Sequence, residues 1–300
     1  MSWEAVGVDL GGTKLAAGRV ADGRIETLAA EPTPAGGAAA ILEAVVRLAS
    51  RVGRPDLPVG LAVAGQVEPG SGTVLGAPNL PLAGVPVRTE LARRLGVPVR
   101  TENDVTAAAV GQWLLLDPPP AVLAVITVGT GVGGGVVVDG RPFGGAHGLA
   151  VEAGHVVAVP GGERCACGRR GCVEAYAGGR ALLRRYRSLA GETGNGAASA
   201  EAVLALARAG DPVAVRVWED ARRALEVLVR AVLLLFDPDV LALGGGVASG
   251  TPELRHAVAA RAAEDAWPGA TPPAVVELDS GAAVVGAARL AWAAAQSESA

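Results

Sequence analysis

The sequence predicts an α/β protein in which a mixed or mostly parallel sheet, covered by helices, is built twice along the chain. Three observations lead there. Apolar runs of strand length alternate with segments of helical spacing across 300 residues. A strand, a glycine turn and a second strand occur near residue 11 and again near residue 131. A proline run, Pro118 to Pro120, stands between the two copies and sets the expected boundary.

In order, Ala5–Leu10 and Leu15–Val20 read as a hairpin around Gly11 and Gly12. A helix is expected over Ala38–Val52, a strand over Pro58–Ala64, a short helix over Thr89–Leu95 stopped by Gly96, and a strand over Pro98–Thr101. Asp104 then stands where a cap would start the alanine-rich helix Val105–Leu116. Beyond the prolines, Val122–Val128 and Val132–Val138 pair around the second glycine turn, and a polar, glycine-rich loop spans Asp139–Gly171. Helices follow at Gly179–Leu189, Ala200–Arg208 and Pro212–Phe236, then a strand at Val240–Leu243 ended by Gly244–Gly246. A helix at Pro252–Ala266, a strand at Val275–Leu278 and a helix at Ala282–Ala295 complete the pattern.

Composition narrows the function. Half of the residues are apolar, 19% are charged, and glycine and proline together stay below the roughly 25–30% typical of low-complexity disorder. Aromatic residues make up 3%, too few for platforms that stack single-stranded bases. A net charge of −4 offers no field for a polyanion, so no nucleic-acid partner is expected. The uncharged window Pro118–Val138 is long enough to span a bilayer but opens on three prolines and is dense in glycine, which suits buried strands; no membrane partner is expected. Glu4 follows an N-terminus without a basic stretch, unlike a secretory signal, so a cytoplasmic location is expected.

Five constellations carry chemistry. Asp9-Leu10-Gly11-Gly12-Thr13-Lys14 follows an apolar strand: the glycines admit an anion to backbone amides, Thr13 and Lys14 add a hydroxyl and a cation, and Asp9 offers a carboxylate to hydrated magnesium. Gly129-Thr130-Gly131-Val132-Gly133-Gly134-Gly135 is neither a Rossmann nor a Walker sequence and suits a second phosphate loop; taken alone it is equally a glycine bulge in a sheet. Gly244, Gly245 and Gly246 end a strand where backbone could lie against a nucleobase. Glu102-Asn103-Asp104 stands at a strand–helix junction, the edge where α/β proteins hold ligands, although Asp104 is also an ordinary helix cap. His155, Cys165, Cys167 and Cys172 supply three thiolates and an imidazole, the donor set of a closed, structural zinc site, with Glu152 and Glu174 beside them as hydroxyl acceptors.

From residue 5 to about residue 250 these segments resemble the ROK family of sugar kinases and repressors. Asp9 to Lys14 and Gly129 to Gly135 match its two phosphate motifs, Asn79-Leu80-Pro81 its sugar-side segment, and Glu102-Asn103-Asp104 its catalytic segment. Glu152-Ala153-Gly154-His155 with Cys165 to Glu174 match its sugar and zinc signature, and Gly244 to Gly246 its nucleotide motif. The resemblance implies a two-lobed actin-like, hexokinase-type ATPase fold of duplicated ribonuclease H-like domains, closing over sugar and ATP. One lobe would be 1–117, with a helix at 282–296 packing back on it, and the other 118–281. It implies ATP and Mg2+ at Asp9, Gly11, Gly12, Thr13, Lys14, Gly129, Thr130, Gly131, Gly133, Gly244, Gly245 and Gly246. A hexose would be held by Gly65, Asn79, Asn103, Asp104, Glu152, His155 and Glu174, with Asp104 as general base toward its 6-hydroxyl, and structural Zn2+ by His155, Cys165, Cys167 and Cys172. A homodimer or homotetramer is implied as well.

This chain departs from the family in three places. Val151 stands where the family most often has a small residue, and Ala64 and Glu68 replace a proline and an aspartate in the segment around Gly65. The family's repressors carry a DNA-binding domain ahead of the first phosphate motif, which here begins at residue 9, so an enzyme is expected. Glucose leads because Glu-x-Gly-His with the downstream Glu174 resembles the glucokinases; N-acetylmannosamine, N-acetylglucosamine, fructose or a cyclitol are the alternatives. A catalytically silent sugar sensor is the alternative of another class, against which Lys14 and Asp104 stand.

Overall fold

The computed structural model describes residues 2–191 and 196–298, which divide into two compact units. Of the described residues, the first comprises 2–120, 136–150 and 279–298, the second 121–135, 151–191 and 196–278. Residues 136–150, expected in the second lobe, thus fall with the first unit, because the chain returns there before the cysteine-bearing loop.

The first unit is built on a five-stranded sheet. Strands β1 (Glu4–Leu10) and β2 (Lys14–Ala21) form the expected hairpin, and β3 (Arg24–Pro32), absent from the sequence reading, extends it antiparallel. β3 hides because it is an edge strand whose charged residues face water, which erases the apolar signal. The Asp22-Gly23 turn with both residues at positive φ announces it. After helix α1 (Gly37–Val52) come β4 (Val59–Val63), the small ribbon β5 (Gln66–Val67) and β6 (Val74–Gly76), helix α2 (Val87–Leu95), β7 (Val99–Asn103) and α3 (Asp104–Leu115). The sheet order is β3-β2-β1-β4-β7, with β1, β4 and β7 parallel. One face packs on α1, where Ile41, Leu48, Leu61 and Leu91 are fully buried, each stabilising by about 1.5–3 kcal/mol.

The second half repeats the plan. β8 (Val122–Val128), β9 (Val132–Val138) and β10 (Arg141–Pro142) are followed by the cysteine-bearing loop and then by α4 (Glu174–Ala177), α5 (Gly179–Ala190), α6 (Ala200–Arg208) and α7 (Pro212–Phe236). β11 (Val240–Gly244), α8 (Gly246–Ser249), α9 (Pro252–Asp265), β12 (Ala274–Glu277) and α10 (Ala282–Glu298) complete it. The order β10-β9-β8-β11-β12 mirrors the first sheet, and β8, β11 and β12 run parallel. Helix α7, begun by Asp211 accepting the Ala214 amide at 2.8 Å, buries Val217, Leu225 and Leu228 as the spine of the second unit.

α10 lies on β1, β4 and α3 at backbone distance. A Cβ at Gly7 would stand 1.8 Å from the Val284 carbonyl oxygen, one at Gly60 1.9 Å from that of Ala287, and one at Gly111 1.8 Å from that of Ala282. These glycines are therefore packing residues, fixed by the close approach of a helix that sequence patterning locates but does not dock.

Candidate active site

In the first unit, register does the positioning. Asp9, Ala62 and Glu102 are neighbours across β1, β4 and β7, and so are Leu10, Val63 and Asn103. The Gly11-Gly12 turn, Ala64-Gly65 and Asp104 therefore leave the sheet at one carboxyl edge, where parallel sheets hold ligands.

Gly11 donates its amide to the Lys14 carbonyl at 3.0 Å, closing the turn. Thr33, unnoticed in the sequence, holds the turn from the end of β3: its hydroxyl donates to the Gly11 carbonyl at 2.7 Å and its amide to that of Thr13 at 3.1 Å. In a planar trans peptide the N–H opposes the C=O, so the amides of Gly12 and Lys14 face away from Thr33. Asn79 packs against this turn, and a Cβ at Gly12 would stand 2.8 Å from Asn79 Cβ. Burial raises the Asp9 carboxyl above the ordinary aspartate value while nearby Lys14 draws it down.

The helix cap is Asn103, which corrects the assignment of Asp104. Asn103 Oδ1 accepts the amides of Val105 at 2.9 Å and Thr106 at 3.0 Å, while its Nδ2 donates to the Gly65 carbonyl at 3.0 Å and to Asp104 Oδ1 at 3.1 Å. Asn103 can cap because β7 runs two residues further than expected, leaving it in extended conformation at φ −61° and ψ 144°. Asp104 is consequently the first residue of α3, where the partial positive charge of a helix N-terminus favours a carboxylate.

In the second unit, Gly244 pairs in register with Thr127, so the turn after β8 and the glycines after β11 share one sheet edge. Thr130 and Gly131 lie in that turn, whereas Gly133 is already inside β9. Gly129 and Thr130 line a cavity of about 320 Å³ together with Gly179, Arg180, Glu201 and Gly246. A Cβ at Gly244 would meet Leu278 Cβ at 2.6 Å, Gly245 has φ +90° beneath the Val128 carbonyl, and Gly246 faces open space. One glycine of that triplet therefore serves packing, one the turn and one the cavity wall. Arg180 and Glu201 carry no motif and were not legible.

The nitrogen and sulfur ligand atoms of His155, Cys165, Cys167 and Cys172 all lie within 4.8 Å of one another. Cys165 Sγ is 3.7 Å from His155 Nδ1, and Cys167 Sγ is 3.7 Å from Cys172 Sγ. A tetrahedron of ~2.3 Å zinc–sulfur bonds has an edge of roughly 3.8 Å, so the donor set and its spacing fit the metal. Burial and the neighbouring Cys167 and Cys165 thiols push the Cys172 thiol up to about 12, a cost that a dication would reverse. Gly168 and Gly171, both at positive φ, turn the loop around the cluster. Tyr176 braces it by accepting the Glu163 amide at 2.9 Å, and the buried Arg185, tied to Asp220 at 2.7 Å, stacks on the Tyr176 ring.

His155 Nε2, on the other ring edge, is 3.9 Å from Glu152 Oε2. Glu152 leaves Val151, a β-branched residue at φ +61°. Glu174, at the start of α4, accepts the Val132 amide at 3.0 Å on Oε2.

The sequence model of the ROK family matches residues 5–294. A glucokinase from Streptomyces coelicolor is 37% identical over 262 residues, 81% of either chain. An N-acetylmannosamine kinase from Citrobacter koseri is 38% identical over 259 residues, 84% of this chain and 87% of its own. Among solved structures, a ROK family glucokinase from Streptomyces griseus in complex with glucose and AMPPNP superposes with a TM-score of 0.80 at 34% identity, covering 96% of this chain and 99% of that one. With two sheets of like order, each carrying a glycine turn at its carboxyl edge, the chain has the actin-like, hexokinase-type ATPase fold; it belongs to the ROK family and is a sugar kinase.

Proposed function

We propose that this sugar kinase transfers the γ-phosphoryl group of ATP to the 6-hydroxyl of a hexose, with glucose the leading substrate and Asp104 the general base. The observation that carries the reading is the Asn103–Asp104 pair, which holds one carboxylate at the first turn of α3, at the same sheet edge as the glycine turn of β1. Asp104 accepts the hydroxyl proton as the sugar oxygen bonds to phosphorus and the bond from phosphorus to the ADP oxygen breaks. Phosphoryl transfer asks mainly for positioning and charge neutralisation. The backbone amides of Gly12, Thr130 and Gly131, with Lys14, supply donors to the phosphates, whereas those of Gly11 and Gly129 are committed to the Lys14 and Gly131 carbonyls. Magnesium bound with the nucleotide would neutralise phosphate charge, and Asp9 suits a hydrated dication because its own charge is costly where it stands.

Gly65, Asn79, Asn103, Glu152, His155 and Glu174 are the proposed sugar residues, with Asn103 acting largely through Asp104 since its amide group is engaged on both sides. His155, Cys165, Cys167 and Cys172 would hold a structural zinc that fixes the loop and presents the Nε2 edge of His155, beside Glu152, to the sugar. The relatives named glucokinase support glucose, and the equally similar N-acetylmannosamine kinase makes that amino sugar the second reading. An ADP-release assay with Mg-ATP across hexoses, N-acetylhexosamines and cyclitols decides between them. Asp104→Ala should abolish turnover on the preferred sugar while sugar binding, read by calorimetry, persists. Near-normal turnover in that variant refutes the base, and silence of the wild type on every sugar points to a sensor. No described helix is long and apolar enough to cross a membrane.

A further inference from the structure

Resting on the kinase reading, we propose that Glu174 is a positioning residue for the phosphoryl donor: its carboxylate holds the glycine turn after β8 and so ties the metal-bearing loop to nucleotide binding. Glu174 Oε2 accepts the Val132 amide at 3.0 Å, on the exit side of that turn. A Cβ at Gly131 would stand 2.4 Å from the same oxygen, so the carboxylate occupies the volume that a side chain there would need. Gly131 is thus required by Glu174, a reason separate from any approach of phosphate.

The entry side of the turn is held by the same stretch of chain. Gly179 donates its amide to the Gly129 carbonyl at 2.8 Å, and Arg180 donates to that of Thr130 at 3.3 Å. Residues 174–180 therefore grip the turn through three hydrogen bonds. Since the Gly129 and Thr130 carbonyls point at α5, the amides of Thr130 and Gly131 in the same planar peptides point away from it, as a paired anion site requires. Val132, its amide committed to Glu174, is excluded from that site. Two residues before Glu174 stands Cys172, fully buried in the Cys3His cluster, so a displacement of the cluster is handed to the turn through one rigid step.

The test separates donor from acceptor binding. Binding of a non-hydrolysable ATP analogue without sugar, and the KM values for ATP and for the preferred hexose, are measured for wild type, Glu174→Ala and Glu174→Gln. Glu174→Ala should weaken analogue binding and raise the ATP KM about tenfold, the scale of one hydrogen bond to a charged group. Glu174→Gln keeps an oxygen acceptor for the Val132 amide and should restore the donor side to within about threefold. Gly131→Ala displaces the carboxylate from the other partner and should reproduce the donor loss even where Glu174→Ala fails to fold. Unchanged analogue affinity in Glu174→Ala and Gly131→Ala, with only the hexose KM raised, overturns the inference and leaves the kinase reading standing. A wild type that binds neither nucleotide nor sugar overturns the kinase reading itself.

Discussion

Asn103 donates its side-chain amide to Oδ1 of Asp104 at 3.1 Å while its own Oδ1 closes the first turn of α3. One side chain thus starts the helix and aims the carboxylate. Asn103→Ala should cost about 1–2 kcal/mol of stability from the lost cap and lower kcat at least about tenfold. Asn103→Asp keeps a capping oxygen but puts a second carboxylate beside Asp104, so its thermal midpoint should exceed that of Asn103→Ala while kcat stays low. If kcat follows stability in both variants, the aiming role is wrong.

Asp9 predicts a pH dependence. Its carboxyl is raised by burial, so the folded state holds the proton more tightly than the unfolded chain, whose value is near 3.8. The stabilisation is full below that value and is lost as pH rises through the raised one. Above the unfolded value the carboxyl therefore burdens the ligand-free fold, and Asp9→Asn should raise its thermal midpoint at pH 7 by more than near pH 3. The same variant should lose magnesium-dependent turnover. A lower midpoint for Asp9→Asn at pH 7 would contradict the assignment.

The Cys3His cluster predicts one equivalent of zinc per chain by metal analysis. Its three thiols should resist a thiol reagent until a chelator is added and then all react, with loss of hexose binding. An active protein without metal, or one whose thiols react at once, would sink the site.

Val151 stores strain. A β-branched residue at φ +61° costs about 1–2 kcal/mol, which glycine does not incur. Val151→Gly should therefore raise the melting point of its unit by a few degrees. The same change frees the backbone of Glu152 and should raise the hexose KM. A lowered melting point would mean that the packing of Val151 Cγ1 against Gly134 outweighs the strain.

Much of this was legible because local chemistry forced it. The hairpin about Gly11-Gly12, the alanine-rich helix from Val105 and the Cys3His set follow from turn residues, apolar spacing and donor chemistry. β3 was also signalled: Asp22-Gly23 and Asp139-Gly140 are tight turns at corresponding places in the two halves, all four residues at positive φ. Thr33, Arg180 and the Glu174–Val132 bond were not legible, since nothing in a threonine, an arginine or a carboxylate says which backbone it will meet. The glycine motifs were readable as loops and unreadable by cause, as Gly131 and Gly244 are explained by Glu174 and Leu278 respectively.

The sequence by itself determined the α/β class, the doubled strand–glycine turn–strand plan and the grouping of His155 with Cys165, Cys167 and Cys172. All of these rest on short-range spacing. Only the tertiary structure decided that Asn103 rather than Asp104 caps α3, that residues 136–150 join the first unit, and that α10 rests on the backbone of Gly7 and Gly60. Those outcomes depend on strand register and on approaches between residues far apart in the chain, and periodicity carries no information about which backbone comes within 2 Å of a missing Cβ.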